Sequence, residues 1–102
     1  METSLDYTDT WQSLATIMKA DTDIINVPNV VKELTLANRS ANEVIFKRTE
    51  STSAPSVNEG FRLDAEGSGI WYITLKNVNL SKTWLKTTVS AQTGEVDASV
   101  EI

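Results

Sequence analysis

The chain has no cysteine and no histidine. The first absence removes disulfide staples and thiolate chemistry, so no redox activity is expected. The two together remove Ser-His-Asp and Cys-His nucleophilic systems and the usual zinc sites. Few enzyme classes remain, and neither a cofactor nor a metal is expected. Basic residues are also scarce: 9 Lys and Arg stand against 14 Asp and Glu, with a pI near 4.6. That balance lacks the positive patch needed to neutralise phosphates, so no nucleic-acid partner is expected. No apolar run approaches the roughly 18 residues that would span a bilayer, so no membrane partner is expected either. The first nine residues are acidic and polar, without the basic start and apolar stretch of a secretory signal, which implies synthesis in the cytoplasm without a signal peptide.

What is present is ordinary globular material. At 40% hydrophobic and 23% charged residues, the composition argues against disorder. A chain of 102 residues is too short to divide into two stable units. The expectation is therefore one domain over residues 1–102, with residues 1–9 as a flexible N-terminal arm. Its most informative stretch runs from Gly69 to Thr88 and holds two of the three tryptophans. It reads as two strands joined by a short polar loop. In the first, Trp71, Ile73 and Leu75 point one way, toward the core, and Tyr72, Thr74 and Lys76 the other. In the second, Leu85, Thr87 and Val89 alternate with Trp84, Lys86 and Thr88, which puts Trp84 on the wet face.

Earlier in the chain, Trp11, Leu14, Ala15 and Met18 carry helical spacing, with Asp9 or Thr10 as N-cap, Lys19 in the last turn and Asp21 to Asp23 ending the helix. Trp11, Ser13, Ala15 and Ile17 also alternate loosely, which leaves a strand open as the alternative. Pro28 breaks the chain after Asn26 and Val27. Residues 31–37 and 43–48 read as two strands of a hairpin around an asparagine-rich turn, with Val44 and Phe46 inward and Ile45 and Lys47 outward. Residues 49–56, rich in small polar side chains and carrying Pro55, are irregular and on the surface. A strand starts near Gly60, with Phe61 and Leu63 on one face. A turn follows at residues 65–69. After a turn at residues 92–94, Val96, Ala98, Val100 and Ile102 alternate without fault against Glu95, Asp97, Ser99 and Glu101. Short strands at roughly ten-residue spacing predict a mainly β protein: an antiparallel β-sandwich, jelly-roll-like single domain, with one short N-terminal helix.

Candidate chemistry is thin. Asp64 and Glu66 are the only plausible acid and base for a hydrolase, and solvated strand-end charges explain them as well. Asp21, Asp23 and Asn26 cluster oxygen ligands, yet lack the glycine and distal glutamate of a calcium loop. Gly67-Ser68-Gly69 precedes a strand instead of a helix and reads as a turn. Asn38 and Asn79 match the glycosylation acceptor pattern, and turn asparagines are the better reading. The outward-facing Ile45, Tyr72 and Trp84 are the candidate protein-contact residues, because large exposed apolar side chains on strands mark contact surfaces or lie beneath a covering loop. As stacking rings, Tyr72 and Trp84 also keep open a carbohydrate- or receptor-binding module with a host-surface glycan as ligand.

Five strings carry a family resemblance: Thr-Trp-Gln-Ser-Leu from Thr10, Leu-Ala-Asn-Arg-Ser-Ala-Asn-Glu-Val-Ile-Phe from Leu36, Ala-Pro-Ser from Ala54, Gly-Phe-Arg-Leu from Gly60, and Trp-Leu-Lys from Trp84 ahead of a short final strand. Together they resemble small β-sandwich structural proteins of tailed-bacteriophage virions. The resemblance is one of layout and short strings across most of the chain. It implies a non-enzymatic structural protein located in the virion. Such a protein would assemble as a symmetric oligomer with copies of itself and other virion structural proteins, as a head decoration, collar or neck component, or tail accessory.

Overall fold

The computed structural model describes residues 2–18 and 28–102. Among these residues, eight strands run as β1 (Glu2–Tyr7), β2 (Gln12–Ser13), β3 (Val30–Ala37), β4 (Val44–Arg48), β5 (Phe61–Leu63), β6 (Tyr72–Asn79), β7 (Thr83–Thr87) and β8 (Gly94–Glu101). A single helical turn, α1 (Leu14–Ile17), follows β2, and a 3-10 turn (Leu80–Lys82) joins β6 to β7. The strands form two antiparallel four-stranded sheets: sheet I in the order β1-β8-β3-β6 and sheet II in the order β2-β7-β4-β5. Only β4 to β5 connects neighbours within one sheet; every other connection between successive strands crosses to the opposite sheet. This is the strand order of an eight-stranded jelly roll, so the expected mainly β sandwich is the fold observed.

The core lies between the sheets. Sheet I contributes Leu5, Leu34, Leu36, Val96, Ala98 and Val100, and sheet II contributes Val44, Phe46, Leu63 and Leu85. The alternation that predicted β8 holds through Val100, but Ile102 lies past the last paired residue and is half exposed, so it is not an inward side chain. Strand β6 behaves as read: Ile73 and Leu75 pack against the core while Tyr72, Thr74 and Lys76 are exposed. Strands β3 and β6 both change face at one level. Leu34 and Leu75 are inward above it, Val31 and Val78 below it, and Asn77 between them takes φ 53°. This explains why only the second half of β3 shows clean alternation in sequence.

Three expectations are corrected. The arm expected at residues 1–9 is largely a strand: β1 pairs with β8 from Glu2↔Ser99 to Tyr7↔Gly94, and Leu5 and Tyr7 are buried. Its acidic residues masked a period-two apolar pair. Strands β3 and β4 are not a hairpin, because they lie in different sheets. The link between them is organised by the fully buried Asn38, whose Nδ2 donates to the carbonyls of Asn42, Leu63 and Asp64 at 2.9–3.2 Å. Its Oδ1 accepts from the N–H and hydroxyl of Ser40. A saturated amide cluster of this kind turns the chain across the sandwich instead of back along one sheet. The helix is a single turn capped by Ser13, whose hydroxyl accepts from the Thr16 N–H, and neither Asp9 nor Thr10 caps it. Trp11 precedes it. The expected helix end at Lys19 and Asp21–Asp23, and the break at Asn26 and Val27, lie outside the described residues.

Tyr7 and Gly94 show how tightly the two ends of this fold meet. They are opposed across β1 and β8, and a Cβ on Gly94 would fall within the Tyr7 phenol. A glycine there gives the buried ring room. The Tyr7 hydroxyl donates to Ser40 Oγ at 2.9 Å and accepts from Asn42 Nδ2 at 3.1 Å.

Candidate contact surface

The two sheets present very different outer faces. On sheet II, Ile45 lies between Arg62 on β5 and Lys86 on β7, and Trp84 lies opposite Lys47. The irregular segment 49–60 straps this face. Trp84 Nε1 donates to Thr49 Oγ1 at 3.0 Å, and Lys86 Nζ donates to Asn58 Oδ1 at 2.7 Å. Trp11 Nε1 donates to the Val57 carbonyl at 2.8 Å, while the Lys86 ammonium sits 5.9 Å from the Trp11 ring centroid. Ile45 is thereby 3% exposed and Trp84 7%. Both had been expected on a contact surface; the structure places them under a covering loop. The reason is physical: alternation assigns a side chain to a face but does not reveal whether the chain returns to cover it.

Tyr72 is the exception. It is 58% exposed, and beside it Ile70 is 59% exposed. Trp71, expected in the core, is half-buried and packs edge-on against Tyr72 with ring centroids 4.9 Å apart. The Arg39 guanidinium lies 5.8 Å from the Trp71 ring centroid, within range of a cation–π contact. Arg39 is also 3.8 Å from the Asp97 carboxylate and 3.9 Å from that of Glu66. These long, solvated pairs orient the guanidinium more than they stabilise the fold. The Ile70–Tyr72 run carried a signal that strand alternation overlooks: three consecutive large apolar residues cannot all point inward from an extended chain, so at least one faces out.

Beyond this rim, the outer face of sheet I is flat and polar. Across β8, β3 and β6, Ser99, Thr35 and Thr74 form one row, and Asp97, Ala37 and Tyr72 the next. The Thr35 and Thr74 hydroxyls touch at 2.9 Å. A shallow groove lined by Thr3, Thr35, Ala37, Arg39, Asp97 and Ser99 runs across it.

The proposed acid and base are not brought together. Asp64 packs its carboxylate over the Gly69 turn, while Glu66 turns toward Arg39. Among the described residues no cluster of His, Cys, Asp and Glu could hold a metal ion, and no buried side-chain polar atom lacks a partner. The Asp21, Asp23 and Asn26 oxygens lie outside the described residues. Asn38 spends its amide inside the protein, and Asn79 caps the 3-10 turn by accepting from the Ser81 N–H at 3.0 Å. Both behave as turn asparagines. No described helix is long and apolar enough to cross a membrane. No family model, curated protein or solved structure matches the chain.

Proposed function

We propose that this chain is a non-enzymatic assembly protein, a virion structural component of the tailed-phage type that forms a symmetric homo-oligomer. One observation carries the reading. In a molecule that covers the large side chains on the outer face of sheet II, the rim of sheet I leaves Ile70 and Tyr72 more than half exposed beside Trp71 and Arg39. Aromatic and arginine side chains clustered at one place are the composition of interface anchors. The jelly roll adds support by analogy, since capsid and lectin domains both use it, and fold alone does not decide function. Copies of the chain and other virion proteins are the partners this reading implies.

Sedimentation velocity of the wild type across a range of concentrations, with Trp71→Ala and Tyr72→Ala beside it, tests the reading. The expected result is an oligomer that both variants weaken while their circular dichroism stays native. A wild type that remains monomeric at every concentration would remove it.

A glycan-binding module is the second reading, and it rests on the same rings. With Trp84 buried, Trp71 and Tyr72 are the adjacent pair of rings left to stack on a sugar. Their planes meet at 66°, so they do not form one coplanar platform. Glycan-array binding abolished by Tyr72→Ala, in a protein that stays monomeric, would favour it.

A further inference from the structure

The four sheet edges are not equally protected. In sheet II they are β2 and β5, of two and three residues. In sheet I, β1 is met on its outer side by Met18, which bridges to Leu5. Strand β6 is different: it is eight residues long, and no described strand pairs with its outer side. Long open edges template further strand pairing, and proteins ordinarily blunt them.

The ladder phase fixes which backbone groups that edge offers. The Asn38 N–H donates to the Trp71 carbonyl at 2.7 Å, one step beyond the Ala37↔Tyr72 pair. In an antiparallel pair the residues that bond their neighbour alternate with those that face away. Trp71, Ile73 and Leu75 therefore bond toward β3, and Tyr72, Thr74 and Lys76 turn their N–H and C=O groups outward. Two side-chain contacts bear on this edge. Arg48 Nη2 reaches the Lys76 carbonyl at 3.3 Å and the Asn77 carbonyl at 2.7 Å from the other sheet. The touching Thr35 and Thr74 hydroxyls mark a close, non-hydrogen-bonded pair. Arg48 thus closes the far end of the edge and leaves Tyr72 to Thr74 open.

We propose that this open segment is the docking edge for β6 of a second copy, antiparallel across a two-fold axis at Thr74. The inference rests on the assembly reading above and specifies its geometry. Self-pairing needs paired residues of equal parity so that outer faces stay outer, and a Thr74 centre satisfies this. Thr74 bonds Thr74 of the second copy in both directions, and each Lys76 N–H reaches the opposite Tyr72 carbonyl. That gives about four inter-strand bonds without displacing Arg48. Side chains match as well: Lys76 of one copy comes beside the Tyr72 ring of the other, and Ile73 beside Leu75. An acidic chain thereby brings a cation to an aromatic face at the join, where like charges would otherwise meet.

Because the chain has no cysteine, one introduced thiol reports one pairing. Thr74→Cys should form a disulfide-linked dimer under mild oxidation, since hydrogen-bonded antiparallel pairs hold Cα atoms about 5.5 Å apart, within disulfide reach. Tyr72→Cys should not, its two copies lying roughly 13 Å apart in this register, whereas Tyr72→Cys combined with Lys76→Cys should. Thr74→Pro removes an N–H that faces the open edge and not β3, so it should keep native circular dichroism and weaken dimerisation about tenfold or more. Ile73→Pro, which breaks the internal ladder, should unfold instead. An oligomer that survives Thr74→Pro, gives no Thr74→Cys link and dissociates with Tyr72→Ala would overturn the edge pairing and leave the assembly reading standing. A protein that is monomeric throughout overturns both. If Thr74→Pro fails to fold, the cysteine series decides alone, and absence of the Thr74→Cys link overturns the pairing.

Discussion

Among the described residues, sheet II is covered on both sides and sheet I on one. In β7 all five residues are buried, while β8 alternates buried and exposed along its length. The difference does not come from strand composition alone: both sheets carry polar side chains outward, although sheet II adds Ile45 and Trp84. It comes from the connections. The polar segment 49–60 lies across sheet II and supplies Thr49 Oγ1, Asn58 Oδ1 and the Val57 carbonyl to Trp84, Lys86 and Trp11. A polar loop can bury aromatic rings and a lysine stem because it also satisfies their donors. No described segment straps sheet I in this way, and its aromatic rim stays in water.

The largest effect should come from the face the two sheets share. Removing residues 99–102 deletes Val100 from the core and unpairs β8 from Thr35, Leu34, Glu33 and Glu2. Because β8 is an interior strand, a loss above about 4 kcal/mol is expected, comparable to the whole stability of a small domain. Circular dichroism and thermal melting check it, and a cooperative native-like melt would mean that sheet I does not depend on its central strand.

Next comes the outer-face contrast itself. Trp84→Ala should cost about 3 kcal/mol or more, whereas Trp71→Ala should cost about half that or less. Urea denaturation of the two variants in parallel is the test. Equal losses would show that the strap over sheet II contributes no more than the open rim of sheet I. Asn38→Ala should fall close to Trp84→Ala, at about 2–3 kcal/mol. It strips the buried carbonyl of Leu63 and the partly buried carbonyl of Asp64 of their donor. Asn38→Asp should be no better tolerated, because a carboxylate cannot supply the N–H groups. The smallest effect belongs to the open face: Lys76→Gln breaks a 3.2 Å exposed pair with Glu33. It should change stability by less than about 1 kcal/mol, with the difference fading in salt.

Much of this contrast was hidden in the sequence for identifiable reasons. Strands β6 and β8 were legible because each holds an apolar alternation long enough to read, and β3 and β4 because each is rich in apolar residues between turn signals. Strand β1 was not, because its apolar side chains Leu5 and Tyr7 sit among acidic and hydroxyl residues. The crossing of β3 to β4 was missed because an asparagine-rich turn reads the same whether it closes a hairpin or an arch. Asn38 looks like any turn residue until the carbonyls it binds, 25 and 26 positions away, are known. Of the three expected contact residues, Tyr72 stands exposed, and Ile45 and Trp84 are hidden by a segment whose sequence announces only irregularity.

The pairing of β1 with β8 also constrains how the chain reaches its native state. Glu2 meets Ser99 and Tyr7 meets Gly94, so an early segment waits for a late one before either can complete its ladder. During synthesis β3 can likewise gain only part of its pairing, because β6 and then β8 must follow it. Sheet I is thus assembled at the end, with long loops to close, and folding on the millisecond-to-second scale is expected of such non-local pairing. Until then the apolar inner sides of β1 and β3 are available to the wrong neighbours. A crowded ribosome producing many copies would therefore favour variants that shorten this interval over variants that only deepen the final energy well.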